Sequence, residues 1–155
     1  MLMLKIKNVK DFMNTLLKSE TFDAFESRSI SLVTYISFDI DCRIKKSFFP
    51  EEKKELIKRD FCLWKDMRPV IFELIKGNNL PLSFKIILSV KPSLAEEIHK
   101  NARALFININ FDREGLSLTS GSAQKEFSLS KEEDPLWDAY LKNFLSKNGI
   151  LYSEE

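Results

Sequence analysis

The stretch Ile30-Ser31-Leu32-Val33-Thr34-Tyr35-Ile36-Ser37-Phe38-Asp39-Ile40-Asp41-Cys42-Arg43-Ile44 decides the fold. Its apolar side chains fall on even positions: Ile30, Leu32, Ile36, Phe38, Ile40, Cys42 and Ile44. Ser29, Ser31, Ser37, Asp39, Asp41 and Arg43 fill the odd ones, and only Val33, Thr34 and Tyr35 blur the alternation. Successive side chains of a strand point to opposite faces, so a period of two predicts half-buried β-structure. Strands usually run about 3–10 residues. The stretch therefore predicts two strands, 24–33 and 35–44, meeting near Thr34 across a turn or bulge that keeps the parity.

Upstream, Leu2, Leu4 and Ile6 alternate as a short first strand within 1–7. Asn8 is placed to cap a helix whose inward face is Val9, Phe12, Met13, Leu16 and Leu17. Downstream, Pro50 with Glu51 and Glu52 opens a second helix, with Leu56, Ile57, Phe61, Trp64 and Met67 as its stripe. Pro69 is expected to end it and start another, with Val70, Ile71, Leu74 and Ile75 inward and Gly77 at its end. Leu82, Phe84, Ile86, Leu88 and Val90 alternate as a strand, and Ser93 with Glu96 reads as a capping box for a short helix to about Lys100. Leu105, Ile107, Ile109 and Phe111 predict a strand that turns at Asp112–Gly115. Leu116 with Leu118, then Phe127 with Leu129, predict two more around Ser120-Gly121-Ser122. A last helix, 134–148, buries Leu136, Trp137, Tyr140, Leu141, Phe144 and Leu145 and closes at Gly149-Ile150.

The expected plan is a single α+β domain, residues 1–155, ordered β-α-β-β-α-α-β-α-β-β-β-α, with a mostly antiparallel sheet and packed helices. Its strand–helix–strands rhythm recurs in 1–44 and 82–129, so the alternative is a duplicated β-α-β-β-β unit of the sliding-clamp type.

Composition narrows the functions. Four Gly cannot build a phosphate-cradling loop, and one His cannot supply a His-rich zinc site. Lys5, Lys7 and Lys10 break the apolar stretch a signal peptide needs, and no apolar run reaches the roughly 18 residues of a membrane span. Cys42 and Cys62 have no C-x-x-C spacing and read as reduced core thiols of a cytoplasmic protein.

Three groups carry candidate chemistry. Asp39 and Asp41 share a strand face, where two carboxylates can hold a divalent cation. The segment 43–68 interleaves Arg43, Lys45, Lys46 and further basic residues with Phe48, Phe49, Phe61 and Trp64. Cations for phosphates and rings for bases are the ingredients of a nucleic-acid or anionic-ligand site, with Arg43, Lys45, Lys46, Trp64 and Arg68 as its candidates. The plainer reading puts the rings in the core, the charges in solvent, and Arg68 at the Pro69 junction as a donor. His99, alone and beside Glu96 and Glu97, supports no triad, and there is no G-x-S-x-G. The leading expectation is a non-enzymatic binding or interaction module with no cofactor, a protein partner and no membrane contact. A nucleic-acid-associated protein using 43–68 comes second, and a metal-dependent phosphoryl or sugar-phosphate enzyme using Asp39 and Asp41 third.

Glu20-Thr21-Phe22-Asp23-Ala24-Phe25, Trp64 through Arg68-Pro69, Leu74-Ile75-Lys76-Gly77 running into Pro81-Leu82-Ser83-Phe84-Lys85, and Phe38-Asp39-Ile40-Asp41 carry a resemblance. They resemble a family of uncharacterised proteins of about 150 residues from Clostridia and related Firmicutes. That family usually has Gly in an Ile-Asp-Gly turn where this chain has Cys42. The resemblance implies a bacterial, cytosolic protein and transfers no functional residue.

Overall fold

The computed structural model describes residues 1–77 and 80–155. In it the even-numbered side chains Ile30, Leu32, Phe38, Ile40 and Cys42 turn inward as their period predicts, whereas Ile36, in the turn between the strands, is exposed. Ile30 and Leu32 of β2 (Glu26–Val33) are buried, and Phe38 and Ile40 of β3 (Ser37–Asp41) pack against the same core. The strands pair antiparallel, Ile30 opposite Ile40 and Leu32 opposite Phe38. Between them the Thr34 N–H donates to the Ile36 carbonyl at 2.8 Å, closing a tight turn.

Leu4 and Ile6 are buried on β1 (Met3–Ile6). Asn8 Oδ1 accepts the Asp11 N–H at 3.0 Å and starts α1 (Val9–Lys18) as expected. With β4 (Ser83–Ser89), β5 (Ala102–Asp112), β6 (Gly115–Gln124) and β7 (Tyr152–Glu154), the strands form one seven-stranded sheet in the order β3-β2-β4-β5-β6-β1-β7. Every neighbouring pair is antiparallel. Duplication of a β-α-β-β-β unit would demand that β1 pair with β2 as β4 pairs with β5. Instead β1 lies between β6 and β7.

The helices α1, α3 (Trp64–Ile75), α4 (Pro92–Ile98) and α5 (Glu133–Lys147) contribute Phe12, Ile71, Ala95, Trp137 and Leu141 to the same core as Ile86, Leu88, Ile107, Ile109 and Leu118. The other sheet face carries Ser31, Lys85, Asn108, Asn110, Ser117 and Thr119, exposed or half-buried. Antiparallel sheets tolerate such one-sided burial.

Four local expectations fail, each for a physical reason. The helix opened by Pro50 ends after one turn, α2 (Glu51–Lys54), and Leu56 is exposed. Residues 60–64 are claimed by the sheet margin: Ile44 donates to the Asp60 carbonyl, Cys62 to Cys42, Ser27 to Cys62 and Trp64 to Phe25, at 2.8–3.1 Å. This pairing outweighs the helical spacing of Phe61 and Trp64, and α3 begins at Trp64. The helix α3 then runs on through Pro69, which lies inside it, to Ile75, so the missing N–H costs one ladder bond that burial of Trp64 and Ile71 on either side of it offsets.

The Ser93–Glu96 capping box is also absent. Pro92 takes the first helical position of α4, so Ser93 lies inside the helix and Glu96 pairs with Lys125. Phe127 and Leu129 form no strand and are exposed, while β6 runs unbroken through Gly121. Asn101 ends the ladder there, its side chain accepting the Glu126 N–H at 3.1 Å and donating to the Glu126 carbonyl at 2.9 Å. The strand β7, three residues long, had no readable period. The close of α5 is as expected: Ile150 donates to the Leu145 carbonyl and Gly149, at φ +72°, to Ser146.

Candidate functional site

The residues singled out in sequence do not converge on one point. Asp39 and Asp41 share the outer face of β3, but each is already engaged. Asp39 Oδ1 accepts the Ser31 hydroxyl at 3.0 Å, and Asp41 accepts the Arg43 N–H at 3.0 Å and Lys45 Nζ at 2.9 Å. The Arg43 backbone bond first, and Lys45 second, hold the Asp41 carboxyl below the usual range. Among the described residues no group of three or more His, Cys, Asp or Glu side chains is placed to hold a metal ion.

Trp64 is fully buried and its Nε1–H donates to the Leu16 carbonyl at 2.8 Å, so its ring is part of the core and out of reach of a ligand. Arg68 grips both oxygens of Asp23, at 2.7 and 3.0 Å, rather than lying on the indole. Lys46 begins a short 3-10 turn, Lys46–Phe48, and stays exposed. Phe48, 83% exposed, meets Phe49 edge to face. His99 is structural: Nδ1 accepts the Asn101 N–H at 3.1 Å and Nε2 lies 3.3 Å from Glu132.

Arg43 is the candidate that the fold places in new company. Residues 42–44 run beside 60–62, which seats Phe61 opposite Arg43. The Arg43 guanidinium lies 4.8 Å from the Phe61 ring centre and that of Arg28 lies 4.0 Å from it. Arg28 also lies 5.1 Å from the Phe106 ring, and its Nε donates to Ser89 Oγ at 2.9 Å. Phe61 is only 8% exposed, so the two cations cap an almost buried ring.

Arg28 was missed in sequence, although a signal for it existed. It occupies an even position of β2, where every other residue from Ile30 onward faces the core. The structure resolves that conflict with a β-bulge: the register against β4 shifts between Ser27 and Ser29, leaving Arg28 as the extra residue. A bulge re-aims a side chain without breaking the strand. Burial first, then the neighbouring Arg43 charge, pull the Arg28 guanidinium below its ordinary pKa, against the raising effect of Glu26. Glu26 is itself pushed up by burial. Among the described residues neither Arg28 nor Arg43 forms an ion pair.

Two other features are prominent. At the hairpin end of the sheet, Tyr35 is 94% exposed beside Ile36, and Leu82 is 69% exposed with its N–H bonded to the Val33 carbonyl at 2.8 Å. Leu80, two residues earlier, is exposed as well. Where β6 meets the start of α5, a cavity of about 460 Å³ is lined by Ser120, Ser122, Phe127, Asp134 and Trp137. Its walls are pinned: Ser120 Oγ donates to Asp138 at 2.6 Å and accepts the Leu2 N–H at 2.8 Å, while Ser122 bonds Asp134. At the cavity each serine hydroxyl is bonded to an aspartate carboxylate, and no histidine lines it.

The chain belongs to a family of unknown function, DUF5721, whose family model matches residues 15–153. No curated protein and no solved structure matches it.

Proposed function

We propose that this is a non-enzymatic interaction module of the bacterial cytosol that docks a protein partner at the hairpin end of its sheet. The supporting observation is the cluster of Tyr35, Ile36, Leu80 and Leu82, large apolar side chains exposed around one turn. Beside them β3 is the end strand, so its outer row of backbone N–H and C=O groups lacks a strand partner in the sheet. An extended segment of a partner can add to such an edge by main-chain hydrogen bonds while its apolar side chains cover Ile36, and the body of the partner covers Leu82, which lies in line with β4 two strands further in. No helix among the described residues is long and apolar enough to cross a membrane. The test is a photo-crosslinking residue at position 35, with the captured partner identified and purified. Binding of that partner should weaken at least tenfold in Leu82→Ser with the fold intact. A partner that binds Leu82→Ser and Tyr35→Ser as tightly as the parent chain refutes the reading.

The nucleic-acid reading retains one observation: Phe48 is open to solvent with Phe49 and Lys46 beside it. Phe61 and Trp64 are lost to it. Non-specific association should reach roughly 10⁻⁴–10⁻⁶ M, so a labelled single strand that fails to bind below about 100 µM at low salt removes this reading.

A further inference from the structure

We propose that Arg28 and Arg43 form a binding site for a phosphate dianion, free or carried as a monoester, on the face of the sheet that bears no helix. The inference is independent of the hairpin-end docking surface.

Like charges do not gather on one ring without a reason. Arg28 and Arg43 both lie within 5 Å of the Phe61 ring centre, and a ring face offers each cation only a modest attraction. A guanidinium carries five N–H donors in a planar fork. Ser89 takes only the Nε–H of Arg28, and Arg43 donates no side-chain hydrogen bond among the described residues. The remaining N–H groups therefore have no protein acceptor assigned among the described residues, those of Arg28 in a half-buried setting and those of Arg43 at the exposed rim. Burial has already lowered the pKa of the Arg28 cation, so a matching anion recovers more there than at an open surface.

The backbone is shaped around this pair. The bulge at Arg28 turns an inward strand position outward. The Arg43–Phe61 backbone bridge holds Phe61 in place beside Arg43. Phe106, which faces Arg28, pairs across the sheet with Gly121, so no side chain overlies the ring from β6. The carboxyls that act on Arg28 are Glu26 and Asp60, and neither reaches it as an ion pair. Two guanidinium forks match the oxygens of a tetrahedral dianion, which balances two cations where a single carboxylate would balance one. Free phosphate, a phosphorylated side chain and a nucleoside monophosphate share that group, and the arms of the test separate them.

Inorganic phosphate, O-phosphoserine and adenosine 5′-monophosphate are titrated calorimetrically into the full chain in phosphate-free buffer at low ionic strength. Acetate serves as a monoanion control. Saturable binding of at least one phosphate compound is expected, at least tenfold tighter than acetate. Arg43→Gln and Arg28→Lys should each weaken it about tenfold without lowering the melting temperature. Arg28→Lys keeps a charge but loses the fork, which separates recognition from simple attraction. The best ligand should also shift the ring-proton resonances of Phe61 and Phe106. No saturation by any of the three, or saturation unchanged in both variants, overturns the proposal. Leu82→Ser should leave phosphate binding intact, so failure at one surface is distinguishable from failure at the other.

Discussion

Arg68 and Asp23 form a two-point ion pair, Nε to Oδ1 at 2.7 Å and Nη2 to Oδ2 at 3.0 Å, which ties α3 to the turn after α1. Both side chains are mostly buried, at 20% and 15% exposure, so the pair escapes much of the screening that weakens surface ion pairs. Asp23→Ala should destabilise by about 2 kcal/mol, the scale of hydrogen bonds to charged groups. Arg68→Lys, which loses the fork, should cost roughly 1 kcal/mol. Urea titration of the two variants checks the order.

Trp64 caps a helix from a distance. The Leu16 carbonyl lies in the last turn of α1, where carbonyls lack partners within the helix, and the indole N–H supplies one. Trp64→Phe keeps most of the apolar volume and leaves that carbonyl unpaired. The expected cost is about 1–3 kcal/mol. A variant as stable as the parent chain would show that water reaches the carbonyl.

Glu26 sets a pH dependence whose sign can be stated. Burial raises its folded-state pKa above the ordinary 4.5, so the folded chain holds this proton more tightly than the unfolded one. Its contribution favours the fold below about pH 4.5 and is lost as pH rises through the folded pKa. Glu26→Gln removes the titration. The stability of the variant relative to the parent should therefore increase between pH 4 and pH 8, read from melts at both. Asp41 and Glu96 act in the opposite sense, since their lowered pKa values lose stability as pH falls. Both are unchanged by the substitution and cancel in the comparison.

Cys42 and Cys62 sit directly opposite each other, the Cys62 N–H bonded to the Cys42 carbonyl at 3.1 Å. Burial pushes the Cys42 thiol up to about 12 and raises Cys62 as well. Because the thiolate is the reactive form, alkylation at pH 7.5 should be slow at both sites. Cys62, half-buried where Cys42 is buried, should be modified first. Mass spectrometry after timed iodoacetamide treatment, with and without denaturant, measures the order. Cys42 labelled ahead of Cys62 in the native chain would contradict the burial argument.

Local patterns announced those elements whose stabilising partners lie in their own residues. The alternation of 30–44, the Asn8 cap and the Gly149 closure all carry their physical cause within a few residues, and each was readable. The 60–64 segment was not, because its backbone is held by residues 25–27 and 42–44, and helical spacing of Phe61 and Trp64 imitates a stripe. The strand at Phe127 failed for a related reason: Asn101 side-chain bonds terminate the ladder from across the loop. At the candidate site Arg43 was readable as a basic residue near aromatics. Its companion Arg28 carried only the partial signal of a charge at an inward position, and that becomes a bulge only once the register with β4 is known.

The place of β1 in the sheet bears on how the chain is made. Leu2 bonds Ser120 across 118 residues of sequence, and both neighbours of β1 are strands that follow Asp112. A chain leaving the ribosome therefore carries Leu2, Leu4 and Ile6 unpaired until residues 115–124 have emerged. Pairings across such separations close slowly, because the intervening loop entropy precedes the contact energy. Until then β1 has neither of its neighbours, and transiently exposed apolar surface of that kind favours aggregation.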